Sequence, residues 1–383
     1  MLNESDDDLS PFEQRTVEIT FPLVPKAASR MLDSKQEFDY RERREEFAKW
    51  LLLEGKDTRD IEGYSQATAK RTMYRVSYFE RAVWEKKDDY VPVMTIEHAN
   101  QYIEGLAYSD KSQSHKHHTL HALKRYFKWR HHEFGEPEWE PDRAFTVSNS
   151  QKPQDFFKED ERRKLRQTAL EYGTIPSYKT VQTDEERRER LKPLVADYHE
   201  KDVDDVGTDD WEDIPSWKVT SLVWTSLDAG LRPVEVGNAR TEWVDSDNAV
   251  LRIPKDESAK NEANWEVSLR RKTAKALNRW IQEREHYPEY DDTDALWLTQ
   301  KKKPYDSKQL GRLLRKLCEI AGIDTARRDV SWYSIRHSVG TYMTREEDLA
   351  ATQAQLRHLR PETTMKYDAA PVSDRRDALD RMG

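Results

Sequence analysis

Apolar residues recur at helical spacing through most of the first 134 residues, and this periodicity limits the fold more than any other feature of the chain. Four such runs follow one another, and Gly55, Ser65 and Thr95 mark where helices end or begin. Four helices within about 100 residues predict a compact bundle over residues 35–136. The residues expected to face inward are Phe47, Trp50 and Leu51; Met73, Val76, Phe79 and Val83; Tyr102, Ile103 and Leu106; and Leu120, Leu123, Tyr126 and Phe127.

The remainder of the chain divides around this bundle. Residues 1–34 show no clear periodicity and are predicted to form a flexible tail. Pro137 and Pro141 end the fourth helix, so residues 137–155 are predicted to be a linker. A second domain is expected over 156–383, with a charged insertion around 174–214 that has few apolar anchors. A length of 383 residues fits two or three domains.

Convincing strand signals are confined to one part of the second domain. Two short β-like runs, 249–254 and 265–269, are joined by a polar loop, and 295–299 is either a third strand or a helix edge. The predicted fold class is therefore mainly α: a helical bundle followed by an α+β domain with a small antiparallel sheet. Helices are expected at 271–284, 308–321, 333–346 and 349–357.

Composition excludes several classes of protein. No apolar run approaches the roughly 18 residues that a membrane-spanning helix needs. The first residues are acidic and polar, unlike a signal peptide. A single cysteine, Cys318, leaves no internal disulfide and no Cys-based zinc site. These features predict a protein of a reducing, cytoplasmic compartment with no membrane partner.

The net charge is −9, but positive charge is concentrated in residues 111–132, which contain no Asp or Glu. A basic face on an acidic body is compatible with nucleic-acid binding. His117 and His121 are spaced like zinc ligands, yet no nearby cysteine or carboxylate completes a site, so phosphate contact is favoured and a solvated helix face is the alternative. The residues predicted to contact a DNA backbone are Lys116, Lys124, Arg125 and Lys128.

The stretch AGLRPVE at 229–235 places an arginine where one helix ends and another begins. A guanidinium binds phosphate oxygens in a two-pronged geometry and keeps its charge, and Glu235 lies one turn beyond Arg232 and could hold it in place. The alternative is a surface arginine in an ordinary helical ion pair. No glycine-rich nucleotide-binding loop of the Walker or Rossmann type is present.

The C-terminal segment carries a second arginine, a histidine and a tyrosine. Arg336 lies in YSIRHS at 333–338, on a predicted helix whose apolar spacing suggests burial, and a buried arginine needs an anion. A structural ion pair would satisfy it equally well. His358 and Tyr367 follow, in LRH and TTMKY. A cation, an imidazole and a phenol nucleophile are the groups needed to break a phosphodiester without a metal.

In this order, the motifs resemble those of the tyrosine recombinase, or phage integrase, family. AGLRPVE resembles its first arginine box, SIRH its second, LRH its histidine position and TTMKY its nucleophile segment. The resemblance extends from about residue 38 to the C-terminus. It implies that Arg232, Arg336 and His358 hold a scissile phosphate and that Tyr367 is the nucleophile.

The same resemblance implies partners and domain roles. Residues 38–134 would be the SAM-like core-binding domain, which clamps double-stranded DNA opposite the catalytic domain. Residues 371–383 would form the C-terminal helix that docks on a neighbouring protomer in a tetramer on DNA. The family's chemistry needs no cofactor, no metal and no small-molecule substrate.

Two positions of the family pattern are unsettled in this sequence. The family's hairpin lysine, which protonates the leaving 5′ oxygen, is Lys255 or Lys260, and counting back from VSL at 267–269 favours Lys260. The second box normally opens with histidine, but Tyr333 stands there. A phenol with a pKa of about 10 is a poor base at neutral pH. Tyr333 is then a hydrogen-bond donor only, or adjacent His337 contributes.

The resemblance therefore implies a site-specific DNA recombinase or integrase that cleaves and rejoins strands through a 3′-phosphotyrosyl intermediate. Two alternatives stay open. A DNA-binding protein that kept the fold but lost activity would fit the unusual Tyr333 and the acidic hairpin loop. A type IB topoisomerase would use the same chemistry, although the long N-terminal bundle favours recombination.

Overall fold

The computed structural model describes residues 16–146, 155–257 and 263–367, together with 379, 380 and 382. The chain separates into two compact units, residues 1–151 and residues 152–383. Each unit has its own hydrophobic core. Among the described residues, no helix combines the length and the apolar character needed to cross a bilayer.

In its described residues, 16–146, the N-terminal unit is a bundle of four long helices preceded by one short helix. Asp33, Ser65, Thr95 and Ser112 cap the long helices with side-chain oxygens that accept backbone N–H groups, which satisfies donors that a helix start leaves free. The core contains aromatic residues from three of them, including Tyr40, Phe79 and Phe127. The helices are α1 (Lys26–Ser29), α2 (Ser34–Leu53), α3 (Gln66–Lys87), α4 (Ile96–Tyr108) and α5 (Gln113–Phe134).

The segment before α2 packs more tightly than the sequence suggests. Phe21 and Ala28 are buried in the core of the bundle, and the Arg44 side chain donates to the carbonyl oxygen of Leu23. The prediction of a flexible tail is therefore wrong for this part of residues 1–34. An isolated phenylalanine has no helical periodicity, but it buries a large apolar area once a groove receives it.

The C-terminal unit is largely helical and contains one small sheet. The sheet is antiparallel in the order β1-β2-β3, and Leu251 pairs with Val244 on one side and Val267 on the other. Its strands are β1 (Val244–Asp245), β2 (Val250–Ile253) and β3 (Trp265–Ser268). The α-helices are α6 (Glu159–Glu171), α7 (Tyr178–Val181), α8 (Glu185–His199), α9 (Trp217–Ala229), α10 (Pro233–Asn238), α11 (Arg271–Arg284), α12 (Ser307–Ile320), α13 (Trp332–Glu346), α14 (Leu349–Leu356) and α15 (Glu362–Met365).

The prediction of a mainly helical chain with a small antiparallel sheet is confirmed. The third strand of the sheet, however, is β1, which precedes β2 in the chain, and not the predicted run 295–299. Residues 295–299 contribute only isolated bridges, Ala295 with Arg240 and Leu298 with Pro304. The apolar run there is explained by burial, since Leu296 and Trp297 lie in the core.

The charged segment 174–214 is packed against the rest of its unit. Val181, Leu191 and Trp211 are buried in the C-terminal core, and the backbone N–H of Ile175 donates to the carbonyl of Ile214 over 2.9 Å. Arg187 contacts Glu289 at 3.0 Å. A few large apolar residues therefore anchor a segment whose exposed surface is charged.

Candidate active site

The first element of the site is the sharp junction between α9 and α10. Gly230 ends α9 in the left-handed region at φ +57°, and a Cβ there would lie 2.7 Å from Leu356 Cδ2. The backbone angle therefore favours glycine, and any side chain here would also require Leu356 to shift. Pro233 then occupies the first turn of α10, where its missing N–H costs nothing. This turn places Arg232 between the two helices.

Arg232 is held by the carboxylate that follows it. Its Nη1 donates to Glu235 Oε1 over 2.6 Å, and its backbone N–H donates to Glu235 Oε2 over 2.7 Å. The Arg232 side chain keeps 17% of its surface exposed, whereas that of Glu235 keeps 1%. The guanidinium is thus held through Nη1, and part of the side chain stays accessible to a ligand.

Arg336 reaches the same junction from α13. Its Nη1 donates to the carbonyl oxygen of Gly230 over 2.7 Å, and its Nη2 donates to the carbonyl oxygen of Leu356. The residue is only 3% exposed. Burial, together with the charges of Arg357 and Arg232, lowers the pKa of Arg336 to about 9, so it stays protonated at neutral pH.

A third arginine, Arg357, was not among the predicted site residues. It ends α14 at φ +57°, a conformation that non-glycine residues seldom adopt. Its side chain turns inward, where Nη2 donates to Glu235 Oε2 over 2.7 Å and Nη1 donates to the carbonyl of Ala229 over 2.8 Å. Arg232 and Arg357 therefore share one carboxylate.

His358 follows directly and is also buried, at 5% exposure. Its Nδ1 lies 2.9 Å from Thr364 Oγ1, a contact that fixes the ring. Burial lowers the pKa of His358 to about 3, and the nearby charges of Arg336 and Arg232 act in the same direction. The imidazole is therefore neutral at pH 7 and can donate a hydrogen bond to an anion through one nitrogen.

Tyr367 completes the cluster after α15 and is 7% exposed. Its ring lies directly on Gly340 of α13, where a Cβ would approach the Tyr367 Cζ to 2.5 Å. The ring is parallel to that of His358, with centroids 6.3 Å apart, and its hydroxyl lies 2.9 Å from His337 Nδ1. Burial raises the pKa of Tyr367 to about 12, although Arg336 and Arg232 oppose the shift.

The structure thus brings Arg232, Arg336, His358 and Tyr367 together from segments up to 135 residues apart. Among the described residues of this cluster, three guanidinium groups face one carboxylate, Glu235. Excess positive charge at a partly buried site is unfavourable unless an anion neutralises it, so this cluster is suited to an anionic ligand. A phosphate diester beside a tyrosine hydroxyl satisfies that need and is open to nucleophilic attack.

The remaining candidate residues of the site have the following settings, or fall outside the described part. Lys260 falls in 258–262, which the structure does not describe. Lys255 opens a single 3-10 turn after β2, and its backbone N–H donates to Asn264 Oδ1 over 2.7 Å. Tyr333 is 43% exposed and lines a groove of about 450 Å³ that also borders Pro233 and the basic residues Lys308, Arg312 and Arg315 of α12.

On the N-terminal unit, the predicted phosphate contacts of α5 have mixed environments. Lys124 is exposed, and Arg125 donates to Thr72 Oγ1 over 3.1 Å while it stacks on Tyr64. Lys128 donates to the carbonyl of Gly55 over 3.3 Å. Lys116 is 5% exposed and its ammonium donates to the carbonyl of Ala107 over 2.7 Å. The prediction of a surface phosphate contact for Lys116 is therefore wrong, because the ammonium is turned into the bundle.

A larger basic surface lies along α3. We call this surface the α3 groove. It has a volume of about 1100 Å³ and is bordered by α3, α4 and the start of α5. Tyr74 and Tyr78 are exposed along it, and Glu85 is the acidic residue in its lining. Its Lys and Arg residues are Lys70, Arg71, Arg75, Arg81, Lys86, Lys87 and Lys111. The sequence carried a signal for this surface that was not used, since residues 63–79 contain Lys70, Arg71 and Arg75 and no Asp or Glu.

The histidine pair considered as zinc ligands also has a defined setting. The rings of His117 and His121 are 4.4 Å apart between centroids, and His117 Nδ1 lies 2.7 Å from the carbonyl of Phe145. Within the described residues, the grouping of three possible metal ligands is Glu54, His132 and Glu133, which is largely exposed and does not include that pair. The carbonyl contact of His117 therefore gives no support to a zinc site.

The described part of the C-terminal unit thus combines a small antiparallel sheet with helix junctions that gather two arginines, a histidine and a tyrosine. Residues 216–372 match the sequence profile of the phage integrase family. The chain therefore carries a phage integrase family domain, as its motifs predicted.

Two solved structures with TM-scores above 0.5 share this fold. The XerH site-specific recombinase bound to its difH substrate in a pre-cleavage complex is 15% identical, with a TM-score of 0.52, and the match covers 91% of this chain and 90% of that one. The XerH post-cleavage complex gives the same identity and TM-score, with 88% and 85% covered. The XerA recombinase is 17% identical over 83% of this chain and 93% of that one, with a TM-score of 0.42. No curated protein sequence matches the chain.

Proposed function

We propose that the protein is a site-specific DNA recombinase that cleaves and rejoins DNA through a 3′-phosphotyrosyl intermediate. The observation that carries the proposal is the convergence of Arg232, Arg336, His358 and Tyr367 around one cationic, partly buried place. The fold shared with XerH, solved with its difH substrate, supports DNA as the ligand.

In the proposed reaction, Arg232 and Arg336 bind the non-bridging oxygens of the scissile phosphate. His358 donates a further hydrogen bond, and together these groups stabilise the charge that builds on the oxygens in the transition state. The groups are already held by Glu235, Gly230 and Thr364, so little reorganisation is needed when phosphate enters. No metal is required, because the guanidinium groups supply the positive charge.

Tyr367 Oη then attacks phosphorus, and the bond from phosphorus to the 5′ oxygen breaks. The leaving oxygen takes a proton from the lysine of the loop between β2 and β3, for which Lys255 and Lys260 stay the candidates. A 5′ hydroxyl of a partner strand reverses the sequence and releases Tyr367. The phosphotyrosyl ester keeps the energy of the phosphodiester, so no nucleotide cofactor takes part.

A nicked DNA substrate tests this proposal. Duplexes that the full-length protein binds are selected from a random-sequence library, and a nick is placed at successive positions of the selected site. Cleavage next to the nick releases a short fragment, so the covalent adduct accumulates. We expect an adduct that survives denaturation, forms in EDTA and yields a phosphotyrosyl peptide containing Tyr367. Bound DNA without an adduct at any nick position would support the inactive DNA-binding alternative instead.

Pairs of selected sites separate recombination from relaxation. A recombinase exchanges strands between two sites, in an assembly that the family resemblance predicts to be tetrameric. A topoisomerase relaxes supercoiled plasmid as a monomer. We expect exchanged products from two labelled duplexes. Relaxation of plasmid without exchange would favour the topoisomerase alternative.

The α3 groove is proposed as a DNA-backbone contact of the N-terminal unit. Lys70 and Arg71 are exposed along it, so replacing both with alanine should remove about two phosphate contacts. Each lost contact reduces the slope of log affinity against log salt by about 0.9. At 0.1 M salt, this corresponds to an affinity about eightfold lower for each lost contact. Fluorescence anisotropy with the selected duplex over a salt series measures both quantities.

Two control variants sharpen this prediction. Lys49→Ala removes an exposed lysine of α2 that pairs with Glu45, and it should leave affinity unchanged. Lys124→Ala tests the α5 surface. If Lys124→Ala lowers the salt slope and the Lys70, Arg71 double variant does not, the α5 surface is the contact and the assignment of the α3 groove is wrong.

A further inference from the structure

The hydroxyl of Tyr367 has a specific partner that the family motifs do not assign. His337 follows Arg336 on α13, and its Nδ1 lies 2.9 Å from Tyr367 Oη. His337 is 7% exposed, and its Nε2 is buried with no hydrogen-bond partner among the described residues. A buried imidazole nitrogen without a partner is uncommon in a folded protein and needs an explanation.

Other candidate proton acceptors near this hydroxyl are less suited. Tyr333, which stands where the family usually has histidine, is a phenol that is 43% exposed and lines the groove bordered by Pro233 and α12. His358 is stacked parallel to Tyr367, and its Nδ1 is engaged by Thr364. Lys366 lies over the Tyr367 ring at 5.0 Å from the centroid, but an ammonium has no lone pair to accept a proton.

We propose that His337 is the general base that takes the proton of Tyr367 during DNA cleavage. The proposal rests on the proposed function and deepens it. The Oη–H bond of Tyr367 breaks and its proton moves to His337 Nδ1 as the bond from Oη to phosphorus forms. The bond from phosphorus to the 5′ oxygen breaks, and that oxygen takes its proton from the hairpin lysine. In the reverse step His337 returns its proton to Tyr367.

The surroundings of His337 suit this role. The charged groups facing it are Lys366 and Arg336; together with burial, the largest cause, they lower the pKa of His337 to about 4. The imidazole is therefore neutral before DNA arrives, with the lone pair of Nδ1 directed at the Tyr367 hydroxyl. A bound phosphate brings negative charge beside Arg336 and Lys366, which offsets their effect and favours the protonated imidazole as the reaction proceeds.

The rate of adduct formation on the nicked substrate tests the proposal in the full-length protein. His337→Gln keeps an oxygen that can accept a hydrogen bond from Tyr367 but cannot take a proton, and His337→Phe keeps the shape of the ring alone. A general base contributes about 10²- to 10⁴-fold, so both variants should be slower by about 100-fold or more. If His337→Gln is as fast as the wild type, His337 only positions the hydroxyl. If either variant is faster, His337 restrains Tyr367. Each result would overturn the proposal.

The pH dependence of the same rate gives a readout that a structural role would not change. With His337 present, the base is already neutral, so the rate should be flat between about pH 6 and 8. In His337→Gln, attack depends on the small ionised fraction of Tyr367, so the rate should rise about tenfold per pH unit. The wild-type profile is informative even where a variant folds poorly: a tenfold rise per unit in the wild type would contradict the proposal.

A substrate with sulfur in place of the bridging 5′ oxygen separates a base from an acid. Sulfur leaves without being protonated, so it restores the rate of a variant that lacks the general acid. His337→Gln should stay slow on this substrate, and recovery to the wild-type rate would identify His337 as the acid. Wild-type adduct formation is measured in parallel. If the wild type forms none, the proposed function fails; if only His337 proves dispensable, the function stands and this inference fails.

Discussion

Replacing Tyr367 with phenylalanine is expected to abolish covalent capture of DNA while leaving DNA binding intact. The variant lacks the oxygen that would bond to phosphorus, and the neighbouring hydroxyl of Thr364 is engaged by His358 Nδ1. Loss of a covalent nucleophile costs on the order of 10⁴-fold in rate or more. Adduct formation on the nicked substrate, followed on denaturing gels, measures the loss.

The structural cost of this substitution should be limited to one lost hydrogen bond. The ring keeps its contact with Gly340 and its stacking on His358, since neither involves the hydroxyl. His337 Nδ1 loses its partner, which costs about 1–3 kcal/mol at a buried site. Thermal unfolding and anisotropy with the same duplex check that the variant is folded and binds DNA.

Two other tyrosines provide the comparison. Tyr198→Phe removes a hydroxyl from a side chain of α8 that is 55% exposed, and its adduct should form at the wild-type rate. Tyr333→Phe tests whether the phenol in the family's histidine position contributes a hydrogen bond, and it should slow the reaction without ending it. If the Tyr367→Phe variant still forms an adduct and Tyr333→Phe does not, the nucleophile has been assigned to the wrong tyrosine.

The residues that sequence reasoning identified in the C-terminal unit share a property. Arg232, Arg336, His358 and Tyr367 each lie in a short motif whose neighbours dictate the local backbone, such as Gly230 before Arg232. The order of these motifs along the chain was enough to group the four residues into one predicted site. Their convergence depends on how α9, α13 and α14 pack, which no local pattern encodes.

Arg357 shows what local patterns leave out. In the sequence it is one basic residue beside a histidine, with nothing to distinguish it from a surface arginine. Its inward direction follows from a left-handed backbone at the end of α14 and from a buried carboxylate contributed by α10, 122 residues away. The sharing of Glu235 by two arginines is a tertiary feature.

Lys116 is a case where the signal was present. Lys116, Leu120, Leu123 and Phe127 follow helical spacing and so share one face of α5, the face that packs in the bundle. The predicted surface contact of Lys116 was based on its positive charge, whereas the helical periodicity indicated a buried position. The Lys116 ammonium donates a hydrogen bond to the Ala107 carbonyl, which provides the polar partner that a buried cation requires.

Replacing Glu235 with glutamine should destabilise the C-terminal unit by roughly 3–5 kcal/mol, the usual cost of breaking a buried ion pair by removing one partner. Glu235 is 1% exposed and accepts hydrogen bonds from Arg232 and Arg357, while Arg336 lies close enough to add to the charge. Glutamine keeps the shape but leaves three cations without a counter-charge. Calorimetry of the full-length protein near pH 7 measures the loss.

The pH dependence of this loss follows from the carboxyl group. Burial alone would raise the pKa of Glu235, but Arg357 and Arg232 outweigh it and lower the pKa to about 2. Stabilisation from a carboxyl with a depressed pKa is complete above its unfolded pKa of about 4.3 and is lost as pH falls toward the folded value. The difference in stability between wild type and Glu235→Gln should therefore be largest above about pH 4.5 and shrink as the pH falls toward 2.

Two further variants show whether charge causes the effect. Asp291→Asn breaks an ion pair with Arg190 in which Asp291 is 45% exposed, and it should cost less than about 1 kcal/mol. Adding Arg357→Met to Glu235→Gln removes one of the three cations, so the double variant should be more stable than Glu235→Gln alone. If Glu235→Gln and Asp291→Asn unfold alike, or if the double variant is the less stable, Glu235 does not hold the cationic cluster together. Arg232 and Arg336 would then owe their positions to the Gly230, Leu356 and Arg357 carbonyls alone.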